Sequence, residues 1–123
     1  MSWDAELIDE DSAAVIGDWN YTHNVNAMAH LVLYPDADIP RSVFDEVFSP
    51  QNTPWWRLLD GRGGADGAAL LGEIIAGLRA TPERFRALNP ANGWGNYEQF
   101  LALLEQMRDA VPAGARTRWS VSG

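Results

Sequence analysis

Both ends of this chain alternate apolar and polar residues with period 2, while its middle repeats with the period of a helix. That division limits the possible folds more than any other feature. In "SWDAELI", Trp3, Ala5 and Leu7 oppose Asp4 and Glu6, the pattern of a half-buried strand. "AAVIGDWNYT" resumes the alternation with Val15, Trp19 and Tyr21 on one face, and the intervening "DEDS" reads as a turn. Together they predict a β-hairpin. At the other end, "ARTRWSVS" sets Thr117, Trp119 and Val121 against Arg116 and Arg118. Such a strand can pair with the hairpin and bring its arginines near Asp4, Glu6 or Asp18, where cross-strand charge pairs contribute a few tenths to about 1 kcal/mol.

Between these ends the apolar residues fall on helix faces. Val25, Met28, Ala29 and Val32 predict a helix from about Asn24 to Tyr34, where Pro35 stops it. Ser42 as N-cap, with Asp45 three residues on, opens a short helix through Phe48. "SPQNTPWWRLLDGRGGADG" is rich in Pro and Gly and reads as a loop carrying a Trp pair, ending in a cap at Asp66. Leu70, Leu71, Ile74, Ile75 and Leu78 form an amphipathic stripe. Thr81 before Pro82 starts another short helix, with the hydroxyl capping and proline in the first helical position. Asn96 with Gln99 caps the last helix, whose stripe is Phe100, Leu103, Leu104, Met107 and Val111. The prediction is one α+β domain over residues 1–123: a small antiparallel sheet formed by the N-terminal hairpin and the C-terminal strand, covered by three to five helices.

Charge is distributed unevenly. Asp4, Glu6, Asp9, Glu10, Asp11, Asp18, Asp36 and Asp38 precede the first arginine, Arg41, so the whole net charge of −8 arises in the first third. A field of that sign repels phosphate backbones and argues against nucleic acid. It suits a basic protein partner, or serves solubility alone. The chain has no cysteine, which removes disulfides, thiolate metal sites and cysteine nucleophiles. No apolar run approaches the roughly 20 residues of a membrane helix, and "MSWDAELIDEDS" lacks the layout of a secretory signal. A cytoplasmic protein with no membrane partner is expected.

Polar chemistry gathers in "NYTHNVNAMAH", which holds both histidines. On one helix, His23 and His30 would lie about 10 Å apart, and no pair has the i, i+4 spacing of a chelate, so no metal site is expected. His23 at a strand-to-helix junction suits a general acid or base if Asp18 or Asn24 orients it and Tyr21 or Thr22 supplies a hydroxyl. The plainer reading has Thr22 or Asn24 capping the helix while His23 and Asn20 satisfy buried backbone groups. In "NPANGWGNY", Gly93 and Gly95 frame Trp94, and Asn89 and Asn92 can close Asx-turns. Trp94 then either offers its indole to a base, nicotinamide or sugar ring, or plugs the core. "DGRGGADG" matches no phosphate-loop pattern, and Asp60 and Asp66 would repel phosphate. Trp55 and Trp56, with Arg57, form either an exposed docking patch or one core and one covering residue.

"NYTHNVNAM" and "NPANGWGNYEQFLALLEQM" resemble two recurrent motifs in a family of small uncharacterised proteins of actinobacteria and their phages. The patterns are N-[IY]-T-[HY]-N-x-x-x-M and N-P-x-N-G-W-G-x-Y. Asn20, Thr22, His23, Asn24 and Met28 match the first; Asn89, Pro90, Asn92, Gly93, Trp94, Gly95 and Tyr97 match the second. The resemblance covers roughly residues 15–30 and 65–122. It implies a shared fold and suggests that the two motifs meet in space, but implies no activity.

The favoured reading is a non-enzymatic interaction module, of phage accessory or immunity type. It would bind a protein partner through acidic and Trp-rich surface, with Trp55, Trp56 and Arg57 as contacts and no catalytic residue or cofactor. The alternative is a small-ligand, nucleotide-like binding protein or small enzyme with a pocket built from Asn20, Thr22, His23, Asn24, Asn92, Trp94 and Tyr97.

Overall fold

The computed structural model describes residues 2–35 and 53–123. Asp36, Asp38 and the short helix expected from Ser42 to Phe48 lie outside them. The described chain runs β1 (Ser2–Asp9), β2 (Val15–Thr22), a 3-10 turn (His23–Val25) and α1 (Asn26–Leu33). After the gap come α2 (Trp55–Leu59), α3 (Gly64–Ala80), α4 (Pro82–Arg86), α5 (Tyr97–Asp109) and β3 (Thr117–Ser122). The strands form one antiparallel sheet in the order β2-β1-β3. The α+β architecture expected from the alternating ends is present, with the C-terminal strand beside the first.

One sheet face is dry. Trp3, Ala5 and Leu7 of β1 and Trp119 of β3 have no exposed surface, and Val121 is buried beside them. Against them pack Met28 of α1, Leu59 of α2, Leu71 and Ile74 of α3, and Phe100 and Leu104 of α5. Each large apolar side chain removed from water contributes about 1.5–3 kcal/mol, so this layer drives folding.

The glycines that resemble a phosphate loop serve this packing. A β-carbon at Gly67 would stand 2.2 Å from Trp119 Cδ1, and one at Gly64 would be 1.8 Å from Thr117 Oγ1. They let α3 lie directly on β3, while Trp119 Nε1 donates to the Gly64 carbonyl at 3.2 Å. The cap of α3 is Gly63; Asp66, expected there, sits in the first turn, 3.9 Å from Arg62. Pro82 opens α4 as expected, but the Thr81 hydroxyl makes no capping bond.

Two departures trace to strand register. Val15 is 52% exposed because the pairing slips between Leu7↔Gly17 and Ile8↔Val15. The irregularity absorbs one residue and turns Val15 off the face it would otherwise share with Trp19. In β3, Arg118 stands opposite Ile8, while Ser120 and Ser122 stand opposite Glu6 and Asp4. The arginines therefore gather at the hairpin turn, where Arg116 approaches Glu10 and Asp11, and Arg118 approaches Glu10, at 3.5–3.9 Å. No described arginine pairs with Asp4, Glu6 or Asp18, contrary to the expectation from alternation.

Candidate functional site

The two polar motifs meet. Thr22 ends β2 in an extended conformation, and its Oγ1 accepts the Asn24 amide at 3.2 Å to start the 3-10 turn. Asn24 Nδ2 donates across to the Trp94 carbonyl at 3.4 Å. Gly95 has φ +92°, and a β-carbon there would lie 2.6 Å from Thr22 Cγ2 and 3.0 Å from Val25 Cγ1. Only glycine fits, on grounds of both backbone and space.

Tyr21 completes the junction. Its hydroxyl accepts the Asn96 amide at 3.1 Å and donates to Gln99 Oε1 at 3.0 Å. Asn96 Oδ1 in turn accepts the Gln99 amide at 2.8 Å, so the capping pair expected of Asn96 and Gln99 is relayed through a tyrosine from β2. Asn92 Oδ1 holds the Trp94 amide at 3.0 Å, the expected Asx-turn. Asn89 instead reaches over the loop to the Tyr97 amide at 2.8 Å.

The loop's tryptophan points outward. Trp94 is 69% exposed, the most exposed large apolar residue described, so the core-plug reading is corrected. Tethering of its backbone on both sides pushes the indole into solvent. Beside it lies a shallow depression of about 360 Å³ lined by Ser2, Asn20, Tyr21, Thr22, Trp94 and Gly95. Asn20 also borders a second hollow, of about 260 Å³, along Asp4, Ala5, Glu6, Asp18 and Trp19. The two run along the sheet face that the helices leave uncovered.

Other expected site residues lie elsewhere. His23 is 5% exposed and turned inward, its ring 5.9 Å from that of Trp56. Neither Asp18 nor Asn24 orients it; Asn26 does. Trp55 Nε1 donates to Asn26 Oδ1 at 3.0 Å, so the amide nitrogen faces His23 Nδ1 at 2.6 Å and the imidazole accepts there. Burial pushes the His23 pKa below the ordinary histidine range, partly offset by a hydrogen bond with the Ser2 backbone. His30, buried in α1, is shifted the same way by the same cause. Tyr97 is also internal, its hydroxyl donating to the Leu78 carbonyl at 2.8 Å. Of the pocket candidates, Asn20, Thr22 and Trp94 line the surface, Asn24 and Asn92 brace the loop, and His23 and Tyr97 belong to the core.

The tryptophan pair does not form a docking patch. Trp55 and Trp56 are 1% and 6% exposed on helix α2, where Trp55 meets Trp3 edge-on at 5.0 Å. Proline before a short apolar run opens a helix here, and both indoles enter the core. Arg57 remains at the surface, over the Trp56 ring at 5.4 Å. Asn26, the hub of the buried network, was legible only as another asparagine in a polar run.

Side chains alternate across a strand, so Ser2, Asp4 and Glu6 of β1 share the uncovered face with Asp18, Asn20 and Thr22 of β2. Asn20 Nδ2 donates to Asp4 Oδ1 at 2.7 Å. Glu6 stands directly opposite Asp18. Like charges so placed are destabilising. Among the described residues no group of three or more His, Asp or Glu is placed to hold a metal ion. No helix of the described residues is long and apolar enough to cross a membrane. No family model, curated protein or solved structure matches the chain.

Proposed function

We propose that this is a non-enzymatic interaction module, cytoplasmic and of phage accessory or immunity type, that binds a basic protein on the open sheet face. Asp4, Glu6 and Asp18 supply the attracting charge, and Trp94 supplies an apolar anchor at one end. The observation that carries the reading is the Glu6↔Asp18 pair: two carboxylates opposed across strands, with no described arginine between them. An arrangement that disfavours the free fold is accounted for when a cation completes it. Tryptophan is among the residues most enriched at interface hot spots.

Affinity capture from the protein's native cells tests this, comparing wild type with Asp4→Asn/Glu6→Gln/Asp18→Asn and with Trp94→Ala. A partner held by wild type and lost from both variants supports the reading; equal recovery by all three overturns it. A second reading, small-ligand binding, draws on the depression beside Trp94. A site of about 360 Å³ falls within the size of ligand pockets. It predicts a ligand-dependent rise in melting temperature that Trp94→Ala abolishes.

A further inference from the structure

The sheet has two outer edges, and the fold treats them differently. Along β3, Trp119 donates its amide to the Arg62 carbonyl and accepts the Gly61 amide, each at 2.8 Å, while the Val121 amide reaches Asp60 Oδ1 at 2.8 Å. A backbone bridge between Gly63 and Arg118 continues this cover. Along β2, among the described residues, no backbone group bonds to the outer side. Exposed edges of this kind are usually blocked, because they offer a template for another strand.

The bonds along β3 also fix which groups face that edge. Since Trp119 and Val121 bond away from β1, it is Arg118, Ser120 and Ser122 that bond to Ile8, Glu6 and Asp4. Strand bonds alternate in direction, which leaves Trp3, Ala5 and Leu7 to bond to β2. The amides and carbonyls of Asp18 and Asn20 therefore point outward, and their side chains lie on the acidic face.

Resting on the interaction reading above, we infer that the β2 edge receives an extended segment of a basic protein by antiparallel strand addition. Residues of that segment opposite Asp18 and Asn20 would bond to them through the backbone and lie on the open face, where arginine or lysine meets Asp18, Glu6 and Asp4. The alternate residues would be apolar and fall on the side of half-buried Trp19. The strand would end beside Trp94, whose indole offers its face to a cation. Charge disfavours a second copy as the occupant, because it would bring another Asp18, with its own Glu6 and Asp4 behind it, to a face that is already acidic. Strand addition draws affinity from the main chain and specificity from alternate side chains, and this edge supplies both.

The test uses the whole chain and a capped eight-residue peptide alternating arginine with valine, alongside two analogues. Methylating the arginine amides removes the donors that face Asp18 and Asn20; methylating the valine amides blocks only the far side. The parent and valine-methylated peptides should bind and slow Asp18 and Asn20 amide exchange at least tenfold, and the arginine-methylated peptide should bind at least tenfold more weakly. Glu6→Gln/Asp18→Asn should weaken the parent peptide several-fold, and more at low salt. Equal binding by the arginine-methylated peptide, absence of binding by all three, or slow exchange of both amides in the free chain would each overturn strand addition. In the first case, sensitivity to Glu6→Gln/Asp18→Asn would leave the acidic-face reading intact. Binding with slowed exchange but indifferent to those substitutions would instead overturn the acidic-face reading.

Discussion

Replacing Asp18 by asparagine should make the protein more stable, although it removes a charge from a well-ordered strand. Asp18 lies directly opposite Glu6, and strand geometry brings cross-strand β-carbons to about 4.5–5.5 Å. The pair does not exchange backbone bonds, since β1 spends Glu6 on Ser120, and such pairs hold their side chains closer. Both residues are exposed, so a dielectric near that of water applies, and two charges about 5 Å apart then repel by about 0.8 kcal/mol. Screening reduces this to about 0.4 kcal/mol at physiological salt and nearly abolishes it at 1 M. For a domain of this size, about 0.5 kcal/mol corresponds to roughly 2 °C in melting temperature. Urea and thermal unfolding of Asp18→Asn, Glu6→Gln and the double variant at low and high salt measure it. Either single variant should gain, and the double should gain little more. A loss of stability, or a gain that persists at 1 M salt, would refute the claim that these carboxylates oppose each other uncompensated.

Three other substitutions and a change of pH probe the junction and the buried histidines. Asn26→Ala strands Trp55 Nε1 and His23 Nδ1 in the core; at about 1–3 kcal/mol for each orphaned group, denaturant unfolding should register a loss of roughly 2–6 kcal/mol. Gly95→Ala meets both positive φ and Thr22 and should cost about 2–4 kcal/mol, whereas Gly93→Ala, with φ +76° but nothing within 4 Å, should cost about 1 kcal/mol; equal losses would deny the contact. The shifts of His23 and His30 are both downward, so the unfolded chain takes up protons first as the pH drops. Stability should thus be complete above the ordinary histidine pKa of about 6.5 and fall below it, by about 1.4 kcal/mol per pH unit for each histidine, until the folded forms protonate. Unfolding curves between pH 8 and 5 that show no such decline would contradict the burial of these rings.

Much of the fold was legible because periodicity is a physical signal. Trp3, Ala5 and Leu7 could fill only one face of a strand, and Leu71, Ile74, Ile75 and Leu78 only one stripe of a helix. Register was not legible. Sliding β3 by two residues keeps Trp119 and Val121 inside yet moves Arg118 from Glu6 to Ile8, so alternation sets the face but leaves the charge pairs open. Local slips are equally silent, as Val15 illustrates. The α2 tryptophans were misread because Pro54 signals a turn as readily as a helix start, and five residues carry too little period to decide. Trp94 escaped for the opposite reason: glycines on both sides reveal a tight turn, but whether the indole points in or out depends on Thr22 and Asn24, some seventy residues away. The meeting of the two motifs was expected on resemblance, and the geometry joins them through side-chain to backbone hydrogen bonds while sending His23 inward.

Salt dependence of the complex with a partner recovered by capture tests the acidic face most directly. Measured between 50 mM and 500 mM salt, the wild-type dissociation constant should rise steeply, and Asp4→Asn/Glu6→Gln/Asp18→Asn should bind more weakly with a flattened slope while remaining fully folded. A wild-type constant that does not move with salt, or a neutralised chain that binds as tightly as wild type, would contradict the account.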